Sequence, residues 1–344
     1  MQKDFHYYCI GVLAKAAGFN VNDALTIAYA SQYVDDSTES KPIRSSEHNI
    51  IFDPVRTAHI GLKAYEWSVQ KRVYIPFHFI PAKPIRFADD SYVTEPDSDF
   101  AQLILEEACK EKPGLFRLCR IGVALHTYAD TWAHQGFSGR EHRENDVESI
   151  HIYQNDDEEH ENDWKRLIWE NLYLDLLPQI GHAEAGYFPD QPFQIWKCKM
   201  GATDEEIARE NPKEFLTAAE SIYKKLREAD KSEPDTPIPW GNIKTEIENM
   251  LKNSEDDIKE RCKKWKGQFQ HMFEPLKFEY DKLAWRENAL KPIGRNASTN
   301  WDKYEPSKFR NINFSMKPGF YESPWLHFHR AALRQRHIVL ENLL

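Results

Sequence analysis

Apolar side chains recur at helical spacing through residues 5–18 and stop at Gly18. Asn22 or Asp23 can cap a second helix that runs to about Tyr33. Residues 37–56 read as loop, and His59 to about Lys71 as helix. The segment VYIPFHFIPAKPIRF sets three prolines among β-branched and aromatic residues and reads as extended or irregular. A polar loop over 84–98 leads to two helices, about 98–111 and 113–135. Pro113 suits the first turn of the second, and Gly136 and Gly139 end it. A further helix is expected over 163–177, stopped by Pro178. GHAEAGYFPDQPFQIW then begins as a turn or short helix and breaks at Pro189.

The pattern changes near residue 200. Segments 203–230 and 241–270 are charged, helical in pattern and poor in candidate metal ligands, with the proline-rich SEPDTPIPW between them. Residues 291–324 are loop-like, and 325–343 form a basic helix bearing His327, His329 and His337. No alternation of strand and helix signals is visible. The fold class this predicts is all-α with long connections, divided into a helical domain over 1–200 and a charged helical extension over 201–344 that can pack into the same domain.

The chemistry concentrates in LFRLCRIGVALHTYADTWAHQGF, residues 115–137. His126, Asp130 and His134 stand four apart, so all three project from one helix face into one volume. The same stripe runs back through Cys119, Gly122 and Val123, which predicts at least partial burial. Buried imidazole and carboxylate need partners. A divalent metal, zinc by ligand type, meets that need, and a carboxylate between two histidines can bridge two metals ~3.5–4 Å apart. A hydrogen-bonded His–Asp cluster on a core helix meets it as well, and spacing alone does not choose.

LHTYADTWAHQGF resembles the central helix of the zinc-dependent phospholipase C and S1/P1 nuclease superfamily. DFHYYCIGVLAKAAGF and IAYASQYVDDS resemble an uncharacterised bacterial branch of it. The resemblance covers roughly residues 1–200. It implies an all-α, multi-helix fold with one to three zinc ions per chain. It implies His6 as an early ligand, Asp35 or Asp36 from YVDD as another, and His78 of PFHFIP at the same metal. Asp130 would be the bridge, beside His126. His134 would open a second ligand set, completed by His182 with Glu184 or Asp190. The chain departs from the family in two respects. Secreted phospholipases use the amino group of a processed N-terminal Trp, whereas here Met1 stands five residues before His6 with no evident leader. The family's later H-x₃-E is not reproduced around His182.

Composition narrows the function. A formal charge of −10 argues against binding extended nucleic acid. No apolar run reaches the ~18–20 residues a membrane span needs. Five scattered cysteines without C-x-x-C favour free thiols in a reducing compartment, so a cytoplasmic location is expected. H-E-x-x-H, P-loop and G-x-G-x-x-G signatures are missing. The expected activity is metal-dependent hydrolysis of a phosphodiester of a phospholipid or nucleotide, with Asp35 or Asp36 orienting the attacking water or acting as base. The alternative is a non-catalytic, metal-stabilised protein that binds a protein partner through residues 201–344.

Overall fold

A computed structural model describes residues 1–39, 42–44, 51–58, 62–154, 158–160, 180–293 and 313–343. Its first element is a π-helical segment, Asp4–Cys9, that runs into the α-helix Ile10–Ala16 (α1). Asn20 caps the next helix, Val21–Asp36 (α2), by accepting from the Asp23 amide, ahead of the Asn22 or Asp23 the pattern suggested. The short strands Ile43–Arg44 (β1) and Ile51–Phe52 (β2) pair antiparallel.

The proline-bearing segment 73–87, expected to be extended or irregular, is helical at its start and irregular from His78 on. Trp67–Val69 passes through a π segment, Gln70–Tyr74, into an α turn, Ile75–Phe77. Pro76 lies at the junction of the two helix types, where its missing N–H coincides with a change of hydrogen-bond spacing. Ser98 caps Asp99–Cys109 (α3), and Leu115–Ala133 (α4) follows.

α4 is the axis of the molecule, buried from Cys119 to Ala133. α2 crosses it at Gly122, where a Cβ would stand 2.5 Å from both the Ala30 Cβ and the Ile27 carbonyl. Only glycine permits that approach.

The all-α expectation is overturned. The chain is mixed α/β, about 54% helix and 11% strand. Val147–Gln154 (β3), Glu158–His160 (β4), Ile195–Met200 (β5) and Glu206–Glu210 (β6) form an antiparallel sheet in the order β4-β3-β5-β6. β5 alternates, with Trp196, Cys198 and Met200 buried and the residues between them more exposed. This period of two marks a half-buried strand. β6, with sequence EIARE, is built of residues that favour helices. Pairing with β5 overrides that preference, and Arg209 anchors the strand by donating to the Trp132 carbonyl at the end of α4 (2.6 Å). The sheet packs a second, smaller core of Phe79, Phe137, Ala185, Phe188 and Trp196. The acidic run and the helix expected over 163–177 lie almost wholly outside the described residues, apart from β4.

Asn211–Glu228 (α5), Lys244–Leu251 (α6), Ile258–Phe269 (α7) and Ala284–Ala289 (α8) follow. Leu290–Ile293 (β7) pairs with Asn313–Met316 (β8), and Pro324–Glu341 (α9) closes the fold. α9 runs alongside α4 in the same direction, with Pro324 near Cys119 and Gln335 donating to Thr127 Oγ1 (2.7 Å). The main hydrophobic core draws on Phe5, Ile27 and Leu125 together with Phe215, Trp265, Phe278 and Phe328. Residues beyond 200 thus share one core with the helices that carry the candidate ligands. No described helix is long and apolar enough to cross a membrane.

Candidate metal centre

Each cluster histidine reaches the site by a different local device. His6 sits inside the first π segment, and His78 directly follows the second π-to-α run. Such π turns are rare and concentrate at functional positions because they re-aim side chains. His126 and Asp130 project from the last turns of α4. His134 is one residue past the helix end, with φ −97° and ψ 13°. Asp35 is the penultimate residue of α2, which the close crossing at Gly122 brings against α4. His182 follows Gly181, whose φ is +58° and whose missing Cβ would meet the Phe79 ring at 2.2 Å. Asp190 ends a 3₁₀ turn, Phe188–Asp190.

These devices converge on Asp130, which is 1% exposed. His6 Nε2 lies 3.1 Å from its Oδ1. His126 Nε2 and His78 Nδ1 lie 3.3 and 3.4 Å from its Oδ2, and His134 Nδ1 lies 3.7 Å from the same oxygen. Asp35 Oδ1 stands 3.5 Å from His126 Nε2 and 3.9 Å from His78 Nδ1. On the far side, Asp190 is 3.0 Å from His134 Nε2 and 3.3 Å from His182 Nε2. Three sets of donor atoms each fall within 4.8 Å of one another: His6, His126 and Asp130; Asp35, His78 and His126; and His134, His182 and Asp190.

Of the ten residues singled out in the sequence, Asp36 and Glu184 stay outside these sets. Asp36 accepts from the Tyr280 hydroxyl (2.8 Å) and from Gln32 (3.2 Å). Glu184 accepts from the Val147 amide (2.8 Å) and ties down the start of β3. One member was missed. The Met1 amino group lies 2.6 Å from Asp130 Oδ1 and 2.9 Å from Asp190 Oδ1. The five-residue spacing from Met1 to His6 was its signal in the sequence. Arg261 of α7 steadies this end of the chain. Fully buried, it donates to Asp4 Oδ2 (2.7 Å) and to the Gln2 side chain.

The protonation pattern follows from the hydrogen bonds. His134 Nδ1 faces the His78 carbonyl (2.7 Å), His182 Nδ1 faces the Gly186 carbonyl (2.7 Å), and His78 Nε2 faces the Thr57 carbonyl (2.9 Å). A carbonyl only accepts, so each of those nitrogens carries the proton. The other nitrogen of each ring faces carboxylate oxygen, as a lone pair when the ring is neutral and as an N–H donor when it is protonated. Among the described residues, neither His6 Nδ1 nor His126 Nδ1 has a hydrogen-bond partner.

Electrostatics divide the rings: burial opposes protonation of His78 and His182, but Asp130 and Asp35 at the first and Asp190 at the second outweigh it and raise both. Burial holds the His6 and His134 rings below their usual range and so favours the neutral form. Burial alone would raise Asp130 and Asp190. The surrounding positive groups outweigh it, led by His134 and the amino group at Asp130 and by the amino group and His182 at Asp190, and hold both carboxylates well below their usual range. Burial pushes the Met1 amine down, but Asp130 and Asp190 overcome that and raise it to about 11. Imidazole nitrogens and carboxylate oxygens are the donor types that zinc takes, and a bound ion would displace the protons these rings carry.

A cavity of about 690 Å³ opens over Asp35 and Asp190, and Lys3, Asp36, Tyr280 and Lys282 stand around it. Tyr280 and Lys282 come from the half of the chain in which the sequence offered no site residue.

Fold and site together define a mixed α/β protein whose central helix carries a buried cluster of histidines and aspartates. Residues 1–343 match the model of the DUF6765 family, a family of unknown function, and the chain belongs to that family. No curated protein and no solved structure matches it.

Proposed function

We propose that the cluster is a divalent-metal centre holding one to three ions, zinc by its donors, and that the protein hydrolyses a phosphoric ester. The carrying observation is the convergence of five histidines and three aspartates into three donor sets, each with its ligand atoms within 4.8 Å of one another. The order of His6, Asp35, His78, His126, Asp130, His134 and His182 along the chain supports kinship with the phospholipase C and S1/P1 nuclease superfamily. Bound zinc supplies Lewis acidity toward a phosphoryl oxygen and lowers the pKa of water.

The chain's own residues do the rest. Asp35, about a third exposed and with its pKa raised by burial, faces the cavity and accepts a proton there. Asp36, held by Tyr280 and Gln32, keeps the end of α2 oriented. Lys3 and Lys282 bring positive charge to the cavity wall, where a phosphodiester of a nucleotide or lipid headgroup would lie. The acidic whole-chain charge supports small esters over extended nucleic acid. Five free thiols support a cytoplasmic setting.

A second reading rests on the complete burial of His6 and His126, which suits a closed structural ion; a protein partner would then dock on residues 201–344. Metal analysis of protein purified without chelator, followed by assays on chromogenic phosphodiesters and phosphatidylcholine with and without chelator, separates the two. Chelator-sensitive turnover that Asp35→Asn abolishes while metal is retained is the expected result. Metal-loaded protein that hydrolyses none of these esters overturns the catalytic reading, and metal-free protein overturns both.

A further inference from the structure

Away from the cluster, the outer face of α9 combines a cationic stripe with an apolar floor. His327, Arg330, Arg334 and His337 are spaced to fall along one side of the helix. With Phe116 of α4 and Leu333, which is 51% exposed, they line a groove of about 570 Å³. No acidic side chain lines it. Glu341 pairs with His337 (3.0 Å), but Arg330 and Arg334 have neither an ion pair nor a hydrogen bond among the described residues. Such an uncompensated patch stands out in a chain of charge −10.

A second, independent feature lies one helical turn beyond Phe116. Arg120 is fully buried, and among the described residues none of its three guanidinium nitrogens has a hydrogen-bond partner; the Glu111 carboxylate is 3.8 Å from its Nε. Burying a guanidinium without hydrogen bonds is costly, and this group matches planar anions in particular. Burial lowers its pKa to about 10; Glu111 opposes that shift, and the charge of nearby Arg334 adds to it. Arg120 itself does not line the groove; it lies one turn from Phe116 on α4, and Phe116 and Arg334 do line it.

We propose that this groove is a binding site for a single-tailed anionic amphiphile, with a phosphate or carboxylate head on the arginines and an acyl chain along Phe116 and Leu333. The chemistry requires both parts. The arginines select a charged oxygen head, and the Phe116–Leu333 floor gains from covering an alkyl chain but not from a free ion. The site is independent of the metal reading.

Calorimetric titration of the full chain with dodecyl phosphate below its critical micelle concentration tests the proposal. Saturable binding is expected. The charge-reversed pair Arg330→Glu/Arg334→Glu should weaken it by roughly tenfold or more, the loss expected when charged hydrogen bonds are removed, and Leu333→Asp should weaken it as well. Both changes are at the surface, so folding is retained even if an Arg120→Met variant fails to fold. The proposal is overturned by any of four results: no saturable binding, equal affinity for inorganic phosphate, unchanged affinity in the charge-reversed variant, or binding to phosphatidylglycerol vesicles without binding to the monomeric amphiphile.

Discussion

The two ends of the cluster use the same residue types but fix them by different means. Around His126 the side chains rise from long or π-helical elements in the main core. The His6 and His126 rings stack at 3.8 Å between centroids, and among the described residues neither has a hydrogen bond on its Nδ1. Stacking orients them together with contacts through Nε2, and at this end only His78 has a backbone carbonyl behind it. Around His182 the side chains sit on turns that are partly exposed and backed by the sheet. There Phe79 stacks on His134 (4.4 Å), and backbone carbonyls fix Nδ1 of both His134 and His182. Hydrogen bonds orient this end. A core of helices can aim an imidazole by shape, whereas a loop needs a bonded partner behind the ring.

Five substitutions test this contrast, taken from the largest expected effect to the smallest. Asp130→Ala removes the one carboxylate both ends share. Metal should fall below detection by elemental analysis, and stability in urea should drop by about 3–5 kcal/mol, the cost of orphaning buried charge. Retention of metal at either end would break the picture of a shared bridge. Gly122→Val comes next. Its side chain collides with α2, so overpacking should cost about 1–3 kcal/mol and carry Asp35 away from His126. Affinity for zinc should fall at the helical end while His134 and His182 keep theirs.

His126→Ala compared with His182→Ala then asks whether the ends load separately. Each should lose its own metal, as read by stoichiometry and histidine NMR shifts. Simultaneous loss in both variants would make the ends one unit. Gly181→Ala is milder. It strains a left-handed residue against the Phe79 ring, and chemical denaturation should register about 1–2 kcal/mol. Metal at the loop end should weaken and the helical end should hold.

His329 supplies the control. It is buried like the cluster histidines, but it accepts from the Val55 amide (3.0 Å) and makes no ion pair among the described residues. Burial, only partly offset by the Val55 backbone, depresses its pKa to about 3. Above pH ~6.5 the ring is neutral folded or unfolded and its titration costs nothing. As pH falls from ~6.5 toward 3, the unfolded chain gains a proton that the folded chain refuses, so stability is lost across that window. His329→Gln should flatten this acid-side fall in urea midpoints measured at pH 7 and pH 4.5, and leave metal content unchanged at pH 7.

The helical end of the cluster was more legible in the sequence than the loop end. Helical spacing put His126 and Asp130 on one face, and the small residues before them foretold burial. His134 was placed inside the helix but lies just past its end. Only family resemblance, not periodicity, pointed to His6, His78 and His182. The carbonyls of Thr57, His78 and Gly186 that set the proton positions leave no mark on residue type. The sheet was half visible. IWKCKM carries a strand's alternation, but EIARE carries a helix former's composition, and only its partner makes it a strand. Pro76 misled for a related reason: a proline excludes a regular α-helix interior but not the seam between π and α turns. Tyr280 and Lys282 reach the cavity through long-range packing, which no local pattern records.

The clamp of Arg261 on Asp4 also has a consequence for the order of synthesis. The two residues are 257 positions apart. At ~5–20 residues per second a ribosome needs roughly 13–50 s to get from one to the other. During that interval Asp4 stays in solvent, because burying it before Arg261 exists would leave its charge unpaired. The first histidine of the centre is made almost at once, yet it is among the last to find its place.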